Sequence, residues 1–357
     1  MGHVTEDTSR QAEVAELADF DGVFAPFRRE MLAHCYRMLG SLHDAEDAVQ
    51  EAYVRAWRSY GSFEGRSSTR TWLYRIATNV CLTEADKRQR RALPKGLGQE
   101  RSNPAGALEE NREIPWLEPI PDAWLPGPDD PAAAVTQRTS VRLALVAALQ
   151  HLPPRQRAAL LLKEVLQFKA SEIADLLGST TAAVNSSMQR ARAHLEAIGL
   201  DEDSVNEPLS SHQRDVLEKY ASALEQKDID TIVTVFTSDA IWEMPPFTGW
   251  YQGPADIGIL IGTQCPAGPG ELAALPVGAN GQPGFAVYIA APGGGWSAFQ
   301  FQVMDLTDSA ITHAYIFFDH SLFTAAGLPL SFSDSDLQRC RDLQKHRDLQ
   351  KHRDLKT

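Results

Sequence analysis

The chain has 357 residues, 43% hydrophobic and 23% charged, with a formal net charge of −13. That length accommodates two or three domains and the balance is that of a soluble globular chain, which excludes a fibrous or wholly disordered protein. No run approaches the ~18 apolar residues of a membrane span, which predicts no membrane partner. The polar start MGHVTEDTSRQAEVAELADF lacks a basic-then-apolar leader, so no secretory signal is expected. Cys35, Cys81, Cys265 and Cys340 show no metal or redox spacing. A reduced, cytoplasmic chain without metal or cofactor is the expectation.

The net charge hides an asymmetry. Residues 55–91 carry 9 Lys/Arg against 3 Asp/Glu, and residues 138–194 carry 8 against 3. Residues 201–334 carry 3 against 17. Two basic modules precede an acidic one, which assigns any polyanion partner to the first two.

In chain order, residues 20–91 predict nearly continuous helix. Phe24, Phe27, Met31, His34, Cys35 and Met38 recur at helical spacing, and Gly40-Ser41 interrupts them, with Ser41 placed to cap the next helix. Val49, Tyr53, Ala56 and Trp57 give that helix its apolar face. A third helix starts at Ser67-Ser68-Thr69. Residues 92–135 are rich in Pro and Gly and read as a linker, although Trp116, Leu117, Trp124 and Leu125 suit docking better than solvation. Residues 136–199 return to helix, broken at Gly178-Ser179-Thr180, the pattern of a helix-turn-helix. Residues 213–332 pass from helices to alternating aromatic strands, an α+β domain. From 335 to 357 a six-residue repeat, RDLQKH, predicts a charged tail whose leucines form no single helical stripe.

The helix opened by Thr180-Thr181 carries the chemistry of groove reading. Asn185, Ser186, Gln189 and Arg190 follow one turn on, while Val184, Met188, Ala191 and Leu195 pack inward. Asn and Gln pair bidentately with adenine, and Arg with guanine. In the first module, DAEDAVQEAYVRAW places Asp44, Glu46, Asp47, Gln50 and Glu51 at expected exposed positions of one helix. SSTRTWLYRIATNVCLTEADKRQRR then interleaves aromatics with cations, a composition suited to unstacked bases and single-strand backbone.

These modules resemble regions two and four of the extracytoplasmic-function class of the sigma-70 family. The resemblance rests on LHDAEDAVQEAYVRAW, on FEGRSSTRTWLYRIATN, and on LPPRQRAALLLKEVLQFKASEIADLLGSTTAAVNSSMQRARAHL, in that order. It implies a promoter-recognition subunit of RNA polymerase. By the resemblance, Asp44, Glu46, Asp47, Gln50 and Glu51 face the clamp helices of the polymerase largest subunit. Trp72, Arg75 and Asn79 melt the −10 element and hold a flipped base, and Lys87, Arg88, Arg90 and Arg91 follow phosphates. Thr181, Asn185, Ser186, Gln189 and Arg190 read the −35 element.

The third domain resembles the SnoaL-like polyketide cyclases, with the cone-shaped fold of nuclear transport factor two, on AIWEMPP and GWYQG. The resemblance implies a pocket between sheet and helices, with Trp242, Glu243, Trp250, Tyr251, Tyr288 and His313 as candidate liners, joined by Gln300, Tyr315 and His320, and a small molecule as candidate ligand. Related cyclases use an Asp/His pair. Here His313 and Asp319 lie six residues apart, ~20 Å along a strand, too far for proton relay. The domain therefore reads as a sensing module, not an enzyme. The linker segment Pro115-Trp116-Leu117-Glu118-Pro119 fits a motif of sigma factors with such a fused domain, but Gly293-Gly294-Gly295 follows Pro292 where the best-known group has Asp. Two other readings explain less. A ligand-sensing helix-turn-helix regulator leaves the first module idle, and a cyclase or hydrolase leaves both basic modules idle.

Overall fold

The computed structural model describes residues 20–126, 140–198 and 209–342. They form two compact units, one holding residues 20–91 and 140–198, the other 92–123 and 209–342.

In the first unit, α1 (Arg28–Leu39), α2 (Leu42–Tyr60) and α3 (Thr69–Lys87) pack on one another. Gly40 ends α1 at φ 73°, the left-handed region that glycine enters at little cost. Ser41 then caps α2, its Oγ accepting the Asp44 N–H at 3.1 Å, and Ser68 caps α3 in the same way through Thr71. The buried face of α2 is mostly alanine (Ala45, Ala48, Ala52, Ala56), which lets α1 and α3 approach closely. Phe20, Phe24, Tyr53 and Tyr60 form an aromatic cluster at one side.

Within this unit follow α4 (Leu143–Leu149), α5 (Pro154–Leu160), a π-turn at Leu161–Val165, α6 (Ala170–Leu177) and α7 (Thr181–Ile198). Gly178 closes α6 at φ 59°, and Thr180 caps α7 by accepting the Ala183 N–H. The expected helix-turn-helix is therefore α6, the Gly178–Thr180 turn, and α7.

The second unit is an α+β domain. Helices α8 (Ser211–Gln226), α9 (Ile229–Val233) and α10 (Pro254–Gln264) cover one face of a sheet built from β1 (Phe236–Glu243), β2 (Trp250–Gln252), β3 (Leu272–Ala279), β4 (Gln282–Ala290), β5 (Trp296–Leu306) and β6 (Ile311–Phe317). The strand order is β2-β1-β6-β5-β4-β3, with β1 and β6 parallel. A short helix α11 (Ser321–Ala325) and β7 (Ser331–Phe332), paired to β5, complete it.

Residues 92–123, read as part of a linker whose large apolar residues suit docking, are built into this second unit. Leu93, Leu117 and Ile120 are buried, and the segment pairs with itself at Ala92/Trp116 and with the domain at Glu110/Phe247 and Pro121/Ala279. Apolar residues spaced through a Pro-rich stretch have hydrophobic area to bury, and burying it outweighs the freedom lost. The start of the tail is also docked: Leu337 is buried and Arg341 pairs with Glu225. Most of the six-residue repeat lies outside the described residues.

Candidate functional site

On α2 the acidic set divides. Asp47, Gln50 and Glu51 are exposed and Glu46 is half-buried. Asp44 is buried, contrary to the exposed position expected for it. Its carboxylate accepts from Arg88 and from Arg91, whose Nε lies 3.1 Å from Oδ2. Burial works against its charge, but the hydrogen bonds from Arg88 and Arg91 outweigh that and hold its pKa below the ordinary value. Position on a helix wheel does not report an arginine pair arriving from 44 residues along the chain. Arg88 and Arg91, expected as phosphate contacts, are thus engaged inside the module, whereas Lys87 pairs locally with Glu84 and Arg90 reaches His151 Nδ1 at 2.8 Å.

Arg75 and Asn79 are exposed on one face of α3, and Trp72 stacks on Phe63 at 4.7 Å between centroids. Arg75 donates to the Asp175 carbonyl of α6 at 2.9 Å. Arg70, one turn earlier, donates to the Leu166 carbonyl and lies over the Tyr74 and Phe168 rings. Arg75, expected at the −10 element, and its neighbour Arg70 therefore hold the helix-turn-helix module in this arrangement.

The residue that sequence reasoning missed is Arg157. It is buried and donates to the Met38 carbonyl at the end of α1, to Gln150 Oε1 at 2.6 Å, and to the Gln150 and Leu152 carbonyls. Burial lowers its pKa to about 10, so it remains a cation at neutral pH. Gln150 Nε2 donates to the Arg37 carbonyl. The Arg37 and Met38 carbonyls at the C-terminal end of α1 thus accept hydrogen bonds from the second helical module. Nothing in LPPRQRAAL distinguishes this arginine from a surface one.

On α7, Thr181, Asn185, Gln189 and Arg190 are exposed and Ser186 is half-buried, while Val184, Met188 and Ala191 are buried beneath them. Arg190 donates to Ser186 Oγ at 2.7 Å, which holds its guanidinium along the exposed face.

In the sheet domain the nine pocket candidates do not form one site. Neighbouring residues on a strand point to opposite faces. Trp242, Tyr251 and Gln300 lie on the inner, helix-covered face. Glu243, Trp250, Tyr288, His313 and Tyr315 lie on the outer face, as the register shows. His320 lies beyond the last long strand, against Phe323. Tyr288 is also far along the outer face, against Phe323 and Phe332, and donates to the Pro329 carbonyl. His313 finds its carboxylate in Glu243, 2.7 Å away across the β1/β6 pairing, and not in Asp319. Its ring stacks on Tyr315, whose hydroxyl donates to Asp305. On the inner face, Trp242 Nε1 and Gln302 Nε2 are buried donors without a protein acceptor among the described residues, while Gln302 Oε1 accepts from the Tyr220 hydroxyl at 3.0 Å.

Two helical modules, the second ending in a helix-turn-helix, precede a helix-covered sheet, and comparison with known proteins assigns the chain to a family. Residues 23–91 match Sigma-70 region 2 and residues 142–195 match Sigma-70, region 4. The chain is 51% identical over 328 residues to the ECF RNA polymerase sigma factor SigG of Mycobacterium tuberculosis, covering 91% of this chain and 88% of that one. It is 27% identical to SigW of Bacillus subtilis over 52% of this chain and 91% of the relative. The crystal structure of M. tuberculosis SigJ shares the fold, with a TM-score of 0.57 and 21% identity over 88% of this chain and 99% of SigJ. The protein belongs to the extracytoplasmic-function RNA polymerase sigma factors, and its C-terminal part is an α+β domain. The family is one of transcription initiation factors, not enzymes. Among the described residues no helix is long and apolar enough to cross a membrane.

Proposed function

We propose that this factor carries core RNA polymerase to promoters through three surfaces, and that it works in the cytoplasm. Glu46, Asp47, Gln50 and Glu51 of α2 meet the polymerase clamp helices, with Asp44 bracing that surface from beneath. Trp72, Arg75 and Asn79, with Lys87 and Arg90, engage the −10 element. Thr181, Asn185, Ser186, Gln189 and Arg190 read the −35 element from the major groove, the depth of which admits one helix.

The observation that carries the reading is α7, which exposes hydrogen-bonding side chains over a buried apolar face at the end of a helix-turn-helix. Arg75 contributes a second support. It donates to the Asp175 carbonyl, so this guanidinium is released for DNA only when the two helical modules part. Twenty-five base pairs separate the −35 and −10 positions, ~85 Å at 3.4 Å per pair, which a closed pair of small modules does not span. The packed form is then a resting form, clasped by Arg157.

The C-terminal domain regulates and does not catalyse. Its inner face, with the unpaired donors Trp242 Nε1 and Gln302 Nε2, suits a small ligand offering acceptors. Reconstituted transcription tests the central claim. Core polymerase plus this chain should initiate at a fixed start on a promoter, with protection over the −35 and −10 elements. Initiation independent of the chain would refute it.

A further inference from the structure

Inside the first unit the two helical modules meet through side chains that donate to main-chain carbonyls. Arg75 donates to that of Asp175, Arg70 to Leu166, Arg157 to Met38 and Gln150 to Arg37. A guanidinium, a side-chain amide and a backbone carbonyl all keep their charge between pH 5 and 8. These contacts hold alike across that range.

The contact of Arg90 with His151 differs in kind. Arg90 follows α3 by three residues, and His151 lies between α4 and α5. Arg90 Nη1 is 2.8 Å from His151 Nδ1. A guanidinium carries donors and no acceptor, so Nδ1 offers its lone pair and the imidazole is neutral in this arrangement. The groups that act on His151 are basic: Arg90 from the end of the first module, His194 of α7, its ring centroid 6.3 Å away, and Arg157 of α5. Partial burial first, and then these three neighbours, hold its pKa below the ordinary 6.5. The residue is nevertheless exposed, so a proton reaches it from water without unfolding. A proton on Nδ1 removes the acceptor and sets a second cation against Arg90.

We propose that Arg90 and His151 form a pH-sensitive clasp between the two helical modules, and that protonation of His151 opens it. The parted form binds the extra proton, so the packed form is favoured at pH values above the ordinary imidazole range and loses ground as pH falls through it. With an ordinary pKa of 6.5 in the parted form and a neutral ring in the packed form, the ratio of parted to packed molecules rises about tenfold between pH 7.5 and 5.5. Arg90, assigned above to the −10 element, is freed in the same step. That acid thereby favours promoter engagement rests on the reading of the packed form as a resting form.

The test is energy transfer in the full-length chain between dyes carried on p-azidophenylalanine at positions 86 and 193, which are exposed on the two modules. In wild type the parted-to-packed ratio should rise about tenfold from pH 7.5 to 5.5. His151→Asn puts an amide oxygen in place of Nδ1 and does not titrate, so its ratio should change less than twofold. His151→Lys carries a permanent cation and should be parted at pH 7.5 as far as wild type is at pH 5.5. A wild-type ratio indifferent to pH would overturn the clasp. An acid response in His151→Asn equal to that of wild type, or its loss in His194→Gln, would also overturn it, since another group would then be titrating. A fall in helical circular dichroism that tracks the change in transfer would overturn it as well, because the module would be unfolding. In a second arm, transcription by wild type relative to His151→Asn, each with core polymerase on one promoter, should rise about fourfold from pH 7.5 to 6.0, the ratio cancelling the polymerase's own pH response. A constant ratio where energy transfer changes would overturn the resting-form reading and acid activation with it, while the first arm still decides the clasp.

Discussion

Asp44→Asn should destabilise the helical unit and leave the polymerase-facing surface chemically intact. Asp44 is 7% exposed in its side chain, with Arg91 at 14% and Arg88 at 45%. Removing one partner of a fully buried ion pair costs about 3–5 kcal/mol, whereas an exposed pair is worth ~0–1 kcal/mol. Arg88 is screened by water and Arg91 is not, so about 2 kcal/mol is expected for the change. With a urea dependence of about 1–3 kcal/mol per molar, the unfolding midpoint should fall by roughly 1 M. Asp47→Asn and Glu51→Gln, both exposed, should shift it little. The pH dependence supplies a second check. The folded pKa of Asp44 lies below its ordinary 3.8, so its contribution is complete above that value and is lost as pH falls through the lowered folded value. The gap between wild type and Asp44→Asn should therefore hold from pH 7 to about 5 and close below about pH 4. Urea melts across that range, paired with competition binding to core polymerase, measure both quantities. An unchanged midpoint with weakened polymerase binding would refute the bracing role and restore Asp44 as a direct contact.

Gln189→Ala and Arg190→Ala should each weaken recognition at particular −35 base pairs by ~1–3 kcal/mol, read as run-off transcription from promoters with single substitutions. Equal loss on every promoter would assign them to phosphates. Trp72→Ala and Asn79→Ala should permit closed complexes but slow strand opening, with ~1–3 kcal/mol lost per unstacked base and rescue by pre-melted templates in permanganate footprinting. Truncation after Leu200 removes both the acidic domain and the surface on which residues 92–123 dock. Transcription should rise relative to the full chain, and the difference should narrow with added salt if charge attraction contributes to the restraint. Lower activity of the truncated chain would instead make the domain an aid to initiation.

The two helical modules were legible because their signals are local. Gly40-Ser41 and Gly178-Ser179-Thr180 mark helix ends by backbone freedom and capping, and the apolar spacing of Val184, Met188 and Ala191 fixes which face of α7 is left exposed. The α+β character of the last domain was legible in the same way, from alternation along its strands. Distant partners were not. Asp44 reads as a surface acid until Arg88 and Arg91 arrive at its carboxylate, and Arg157 reads as a surface cation until the end of α1 supplies carbonyls. His313 was weighed against Asp319, six residues on in the chain, but its partner Glu243 lies 70 residues back, brought alongside by a parallel strand pairing. The set of pocket residues divided because composition names polar and aromatic side chains while the pleat decides which face each one takes, so Trp242 and Glu243, adjacent in sequence, lie on opposite sides of the sheet. The segment 92–123 shows the limit most plainly. Pro and Gly announce the absence of regular structure, and Trp116 and Leu117 suit docking, but where such a chain docks depends on a complementary surface that is formed only when residues more than a hundred positions later have folded.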